Sequence, residues 1–165
     1  MRILIVHNKY RMKGGEDFVV EQEVTALRDC GHEVHVYLRS NDEAKGLKEW
    51  IALPFSVVWS HRSAKEISII LRDFKPDVMH VHNTWMVITP SCYWAAKKHG
   101  IPVVQTLHNY RLFCPAATFF RDGHICEDCV GKFFPWPGVL HRCYRGSLAS
   151  SLLNHHLTWV GYTTR

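Results

Sequence analysis

The chain has 165 residues, 47% of them apolar, and a formal charge of +5, enough to bury the core of one domain and little more. Its 20 Lys and Arg residues are scattered rather than blocked, which argues against a nucleic-acid partner and suits a pocket for an anionic substrate. No stretch approaches the ~20 consecutive apolar residues of a membrane span, and residues 1–6 are too short for a signal-peptide core and lack a small-residue cleavage site. The six cysteines are therefore expected as thiols or metal ligands in a reducing, cytoplasmic compartment.

Residues 3–6 are a continuous β-favouring run, that of a strand covered on both faces in a parallel sheet. A polar segment through Gly14 and Gly15 follows. Val20, Val24 and Leu27 then recur at helical spacing, and the helix stops at Cys30-Gly31, where glycine can take the left-handed cap. Val34 and Val36 resume a strand, completing a βαβ unit with a right-handed crossover. Ile67, Ile70, Leu71 and Phe74 form the stripe of a second helix, closed by Pro76. Residues 77–82 read as a third strand. Thr89-Pro90, a capping hydroxyl before a proline, starts a helix that runs to Gly100, and residues 102–107 make a fourth strand. This alternation predicts an α/β fold: a doubly wound parallel sheet with helices on both faces. Regularity then fails. Residues 108–146 are rich in Cys, Pro, Gly and aromatics without a period, a Cys-rich insertion after the fourth strand of a domain spanning 1–165. A last helix is predicted over 147–157.

In such a sheet, ligands bind beyond the carboxyl ends of the strands. Three polar groups fall there: the Gly14-Gly15 loop, His82-Asn83, and His108-Asn109-Tyr110-Arg111. Gly14 and Gly15 precede a helix, where backbone N–H groups can approach an anion closely; the alternative is a plain turn. His108, at a strand end, can donate a hydrogen bond or relay a proton, or it is a surface residue bonded to its own loop. His80 and His82 share a face of their strand; His82, at the terminus, is the site candidate and His80 a satisfied core residue. The dinucleotide glycine fingerprint is absent, and Tyr37-Leu38-Arg39 ends the second strand without an acidic residue, which weighs against a nicotinamide-dependent dehydrogenase.

Cys30 and Cys92 are expected to pack as small hydrophobes. Cys114, Cys126, Cys129 and Cys143 all lie in the irregular region, and Cys126-Glu127-Asp128-Cys129 is a Cys-x-x-Cys pair. They either form a structural zinc site that braces the loop, with His124 or His141 able to replace one thiolate, or remain four unligated thiols. Phe133-Phe134-Pro135-Trp136-Pro137, near Arg142 and Arg145, either meets a membrane surface, a lipid-linked substrate or a partner domain, or folds back as a loop core.

The start Arg2-Ile3-Leu4-Ile5-Val6-His7, the Gly14-Gly15 loop, Gly31-His32-Glu33-Val34, residues 76–82 and Thr106-Leu107-His108 with Cys114-Pro115 occur in one order. That ordered set resembles the N-terminal domain of family 4 glycosyltransferases over nearly the whole chain. The resemblance implies a Rossmann-like domain of a GT-B enzyme that moves a sugar from a nucleotide-sugar donor to a sugar or lipid-linked acceptor, usually with retention. It implies that this domain mainly holds the acceptor, that Gly14 and Gly15 approach the donor phosphates or the acceptor, and that His108, the catalytic candidate, contacts the reacting sugar. Glu16, Asp17, His82, Asn83, Asn109 and Arg111 complete the expected substrate-binding set. It further implies that no cofactor is required for catalysis. Many members carry Glu two residues after the second glycine; Asp17 stands there, preceded by Glu16, which leaves open which carboxylate faces the site. The paired-glutamate motif of a donor domain is absent, so the chain reads as a truncated piece, inactive alone. The alternative is a non-catalytic, metal-stabilised binding module.

Overall fold

The computed structural model describes residues 1–10, 14–43, 59–152 and 154. The chain divides into two compact units, residues 1–107 and 108–165, and the division falls where the sequence loses its periodicity.

The first unit runs β1 (Arg2–Lys9), α1 (Gly15–Asp29), β2 (Glu33–Ser40), a 3-10 turn (Asn41–Glu43), α2 (His61–Phe74), β3 (Val78–Asn83), α3 (Ser91–Lys98) and β4 (Val103–Gln105). The four strands form one parallel sheet in the order β2-β1-β3-β4. Both faces are covered. On one, Val20 and Val24 of α1 pack with Ile3 and Ile5. On the other, Ile67 and Leu71 of α2 and Cys92, Tyr93, Ala95 and Ala96 of α3 pack with Leu4, Val6, Met79 and Val81. β1 is buried from Ile3 to Asn8, as its apolar run requires. Each aliphatic side chain fully buried this way contributes about 1.5–3 kcal/mol.

Helix ends follow the sequence signals. At the end of α1, Gly31 adopts φ +80, its N–H donates to Arg28 O and that of His32 to Leu27 O. Gly100 closes α3 the same way, donating to Lys97 O while Ile101 donates to Ala96 O. Both are complete Schellman caps, a conformation open to glycine because it lacks a Cβ.

Boundaries shift where side chains intervene. The third strand begins at Val78, one residue late, because Asp77 turns its carboxylate to the Arg2 N–H at 2.7 Å. α3 begins at Ser91 because Thr89 sits at φ +64, its hydroxyl oxygen accepting the Ser60 N–H at 2.9 Å. β4 is shorter than predicted, three residues that pair, among the described residues, with β3 alone.

In the second unit, β5 (Phe120–Arg121) and β6 (His124–Ile125) form a hairpin around Asp122 and Gly123, both at positive φ, the turn whose twist suits a two-residue hairpin. A short α4 spans Trp136–Leu140, and the backbone is helical at 148–152. The remainder of the helix predicted to 157 lies, apart from residue 154, outside the described residues.

Candidate functional site

β1 is followed in sequence by its neighbour on one side and later by β3 on the other, so the direction of winding reverses between β1 and β3. At such a switch point the loops leaving the strand ends diverge and leave a crevice. The residues there are Asn8 and Lys9 of β1, His82 and Asn83 of β3, and the first turn of α1.

That first turn is fastened from within. Asp17 is buried, and its carboxylate accepts the Gly14 N–H at 2.9 Å and contacts His7 Nε2 at 3.0 Å. Glycine at the N-cap offers no side-chain acceptor, so Asp17 supplies the reciprocal half of a capping box by itself. Burial pushes its pKa up, but the Gly14 N–H, His7 and the charge of Lys9 outweigh this and hold it below the ordinary value. His7 Nδ1 and Asn8 Oδ1 are buried without a hydrogen-bond partner among the described residues. Orphaned polar atoms of this kind are rare in cores.

Glu16 and Asp17 therefore do different things. Glu16 is half-buried and accepts from Asn83 Nδ2 at 3.2 Å, while the same amide donates to Asn8 O at 3.2 Å. The carboxylate at the strand ends is Glu16; Asp17 is internal. Asn8 Nδ2 in turn donates to Asn41 Oδ1 at 2.8 Å, tying the ends of β1 and β2 together.

One layer deeper, α1 presents Glu23 to two histidines. Its carboxylate lies 2.7 Å from His80 Nδ1 and 3.5 Å from His82 Nε2. His80 Nε2 lies 2.8 Å from the Thr106 hydroxyl, and the imidazoles stack with centroids 4.3 Å apart. The Glu23, His80 and His82 donor atoms all fall within 4.8 Å of one another. His80 is thus a satisfied, partly buried residue, as expected. His82 is only 3% exposed, so it backs the crevice rather than lining it.

At the end of β2, Arg39 forms a bidentate pair with Glu43 and reaches Glu66 at 3.2 Å, while the Tyr37 hydroxyl donates to Glu66 at 2.7 Å. Burial works against the Arg39 charge, yet Glu43 and Tyr37 raise its pKa; the bond from Arg39 lowers that of Glu43. The Tyr37 pKa is raised by burial and by Glu66.

Of the predicted residues, Gly14, Gly15, Glu16, Asp17, His82 and Asn83 gather at this edge. Gly14 and Gly15 are exposed, and a Cβ at either would meet nothing within 4 Å. Neither is required by packing. His108, Asn109 and Arg111 belong to the second unit. There Asn109 Oδ1 accepts the Arg111 N–H at 3.0 Å, and the Arg111 guanidinium donates to Asn154 at 3.2 Å and lies 5.4 Å over the Tyr144 ring. Asn154 is buried and donates to Pro115 O at 2.8 Å, so Arg111 is part of a packed polar joint.

All six cysteines are free thiols. Cys92 is buried, but Cys30 is exposed, against expectation, because it is the C-cap residue of a helix end that faces solvent. In the second unit, the Cys129 thiol interacts electrostatically with those of Cys114, Cys126 and Cys143, and Cys143 with Cys114 and Cys126. Burial pushes the Cys129 and Cys143 thiols up; the Gly138 N–H at Cys129 and Arg121 at Cys143 oppose this. In the aromatic segment Phe133 is 79% and Trp136 54% exposed, while Pro137 is buried.

The residues that sequence reasoning missed are His7, Glu23, Asn8 and Asn41, and the Arg39 network. One signal was available. Asp17 falls on the same helical stripe as Val20, Val24 and Leu27, and a carboxylate on an apolar stripe needs an internal partner.

The fold and site define a doubly wound α/β sheet with ionisable residues gathered at its topological switch point. The model of the glycosyl transferase 4-like domain matches residues 14–151, and the chain belongs to that family. It is 27% identical over 153 residues to an uncharacterized 42.6 kDa protein in the cps region of Klebsiella pneumoniae, covering 74% of this chain and 40% of that protein. The chain thus spans less than half the length of this relative. No solved structure matches. Among the described residues, no helix is long and apolar enough to cross a membrane.

Proposed function

We propose that this chain supplies the acceptor-binding side of a retaining, nucleotide-sugar-dependent GT-B glycosyltransferase of cytoplasmic glycan or glycolipid synthesis, and that it does not transfer sugar alone. The observation that carries the reading is the coincidence of family membership with a polar crevice at the β1/β3 switch point, where Glu16, Asn83 and the α1 N-terminus meet. The relative's place in a cps region supports a role in glycan synthesis.

In sugar transfer the bond from the anomeric carbon to the diphosphate oxygen breaks, and a bond to an acceptor hydroxyl oxygen forms through an oxocarbenium-like state. Glu16, steadied by Asn83, suits acceptance of hydrogen bonds from sugar hydroxyls. Lys9 and the N–H groups opening α1 suit negative charge. On the second unit, His108 is the proposed contact to the reacting sugar, with Asn109 and Arg111 beside it in sequence. No cofactor is assigned to the chemistry. The exposed Phe133, Trp136 and Leu140, close in sequence to Arg142 and Arg145, suit peripheral contact with the inner membrane face, where a lipid-linked acceptor would lie.

The test uses the purified chain, a panel of UDP- and GDP-hexoses, and a polyprenyl-phosphate-linked monosaccharide acceptor. Product should not exceed hydrolysis background. Saturation-transfer NMR should detect the acceptor glycoside but not UDP, and Glu16→Gln and Asn83→Ala should weaken the acceptor signal without lowering the melting temperature. Robust turnover, or UDP binding as strong as acceptor binding, would overturn the assignment.

A further inference from the structure

We propose that Glu23, His80 and His82 bind a divalent transition-metal ion of the zinc class, which clamps α1 onto β3 beneath the crevice.

The donor set is one that such ions take. Imidazole nitrogen and carboxylate oxygen are ligands common to zinc and its first-row neighbours. His80 and His82 stand two residues apart on β3, so their side chains leave the same face of the sheet. That face is the one α1 covers, since Val78 on it packs with Val20 and Val24. Glu23 is the α1 residue that meets both rings.

The spacing suits coordination. The Glu23 carboxylate lies 2.7 Å from His80 Nδ1 and 3.5 Å from His82 Nε2, and one donor atom from each residue falls within 4.8 Å of the others. Ligands about 2.0–2.1 Å from a tetrahedral ion stand about 3.3 Å apart. The His82 separation already matches. The His80 contact needs an opening of about half an ångström, a small movement for Glu23, whose side chain is partly exposed.

The surroundings are those of ligating histidines. His80 Nε2 lies 2.8 Å from the Thr106 hydroxyl. With that N–H donating to the hydroxyl oxygen, Nδ1 turns its lone pair toward Glu23, and a partner of this kind fixes the tautomer of a metal-bound ring. The two imidazoles are stacked with centroids 4.3 Å apart, where two imidazolium charges would repel. A metal ion takes both rings neutral and gives the carboxylate its counter-charge. Three protein donors leave a fourth position for water. Close by, the His7 ring stands edge-on to His82 with centroids 6.2 Å apart, and its Nδ1 is buried without a hydrogen-bond partner among the described residues. Unused polar capacity of this kind is what retains a buried water. His82 is only 3% exposed, so the ion joins the helix that carries Glu16 to the strand that carries Asn83 without entering the crevice. This role does not depend on what the crevice binds.

Zinc is the probe. The full chain, stripped with chelator under reducing conditions, should take up a zinc ion that depends on Glu23. Cysteines also bind zinc, so the ligand atoms must be identified along with the metal content. With Cys126→Ser and Cys129→Ser combined, uptake should persist, and the X-ray absorption spectrum should fit nitrogen or oxygen at about 2.0–2.1 Å. Glu23→Gln, which keeps an acceptor for His80, should lose this ion, and Thr106→Val should weaken it about 10–100-fold. If the variants fail to fold, the parent decides: zinc should shift the imidazole nitrogen resonances of His80 and His82, and chelation should speed amide exchange in α1 and β3. Ligation by sulfur alone, His80 and His82 resonances unmoved by excess zinc, or a Glu23→Gln chain that binds as the parent does would overturn the proposal.

Discussion

Replacing Asp17 with alanine tests the internal fastening of the crevice. The carboxylate makes two contacts with no solvent share, one to the Gly14 N–H at 2.9 Å and one to His7 at 3.0 Å. Losing the cap contact costs about 0.5–2 kcal/mol. A hydrogen bond to a charged group contributes about 1.5–3 kcal/mol, and its loss leaves His7 Nε2 buried without Asp17. The sum is about 3 kcal/mol, which at about 2–4 °C per kcal/mol for a chain of this size lowers the melting temperature by about 10 °C. Asp17→Asn keeps an acceptor for Gly14 and should cost about half as much. Because the folded pKa lies below the ordinary value, the stabilisation is fully present above the unfolded pKa. It is lost as pH falls through the folded one. Urea titrations at stepped pH should therefore show a flatter acid limb in Asp17→Asn than in the parent. A double-mutant cycle with His7→Leu should return a coupling of at least about 1 kcal/mol. An Asp17→Ala protein within about 0.5 kcal/mol of the parent, with an unchanged acid limb, would refute the fastening and leave Asp17 free to be a ligand contact.

Arg39→Met should destabilise by about 2 kcal/mol by urea denaturation, less than a fully buried pair because Glu43 and Glu66 are each 35% exposed; high salt should not rescue it, since the arginine itself is buried. The two kinds of glycine should part company under substitution. Gly138→Ala, which drives a methyl into Pro115, should cost about 1–3 kcal/mol. Gly15→Ala, with open space around it, should be neutral or stabilise by about 0.5 kcal/mol, as read by thermal melts. If acceptor binding nevertheless falls in a stable Gly15→Ala, close backbone approach at that loop is the reason.

The frame of the first unit was legible because its signals were redundant. The β1 run, the α1 stripe and the two glycine stops at Gly31 and Gly100 each point to one geometry, and the structure has all of them. Boundaries were legible only to a residue or two, since Asp77 and Thr89 act through side-chain bonds that periodicity does not encode. The hairpin at 120–125 was legible and overlooked: Asp122-Gly123 is the turn pair for a two-residue connection, hidden by the absence of alternating apolar flanks. The site was legible as a location, the strand ends, but not as chemistry. His82 stood at a terminus and so seemed accessible, whereas the fold covers it and sets Glu23 against it. Such pairings between a helix and a strand far apart in sequence follow from topology, which alternation predicts, and from rotation of the helix on the sheet, which it does not.

That rotation explains how α1 serves both core and crevice. Its stripe begins with Asp17 and continues through Val20 and Val24 to Leu27. The strands beneath it run from Ile3 and Ile5 to His7 on β1, and from Val78 to His80 and His82 on β3. Apolar residues meet apolar residues toward one end of the sheet, and ionisable residues meet ionisable residues toward the other. The buried carboxylate therefore fixes the helix where hydrophobic contact has run out. With Asp17 turned inward, the neighbouring Glu16 is carried about 100° around the helix, to the strand ends where Asn83 meets it. Two adjacent acidic residues, alike in composition, are thus divided by helical geometry into one that holds the crevice and one that faces it.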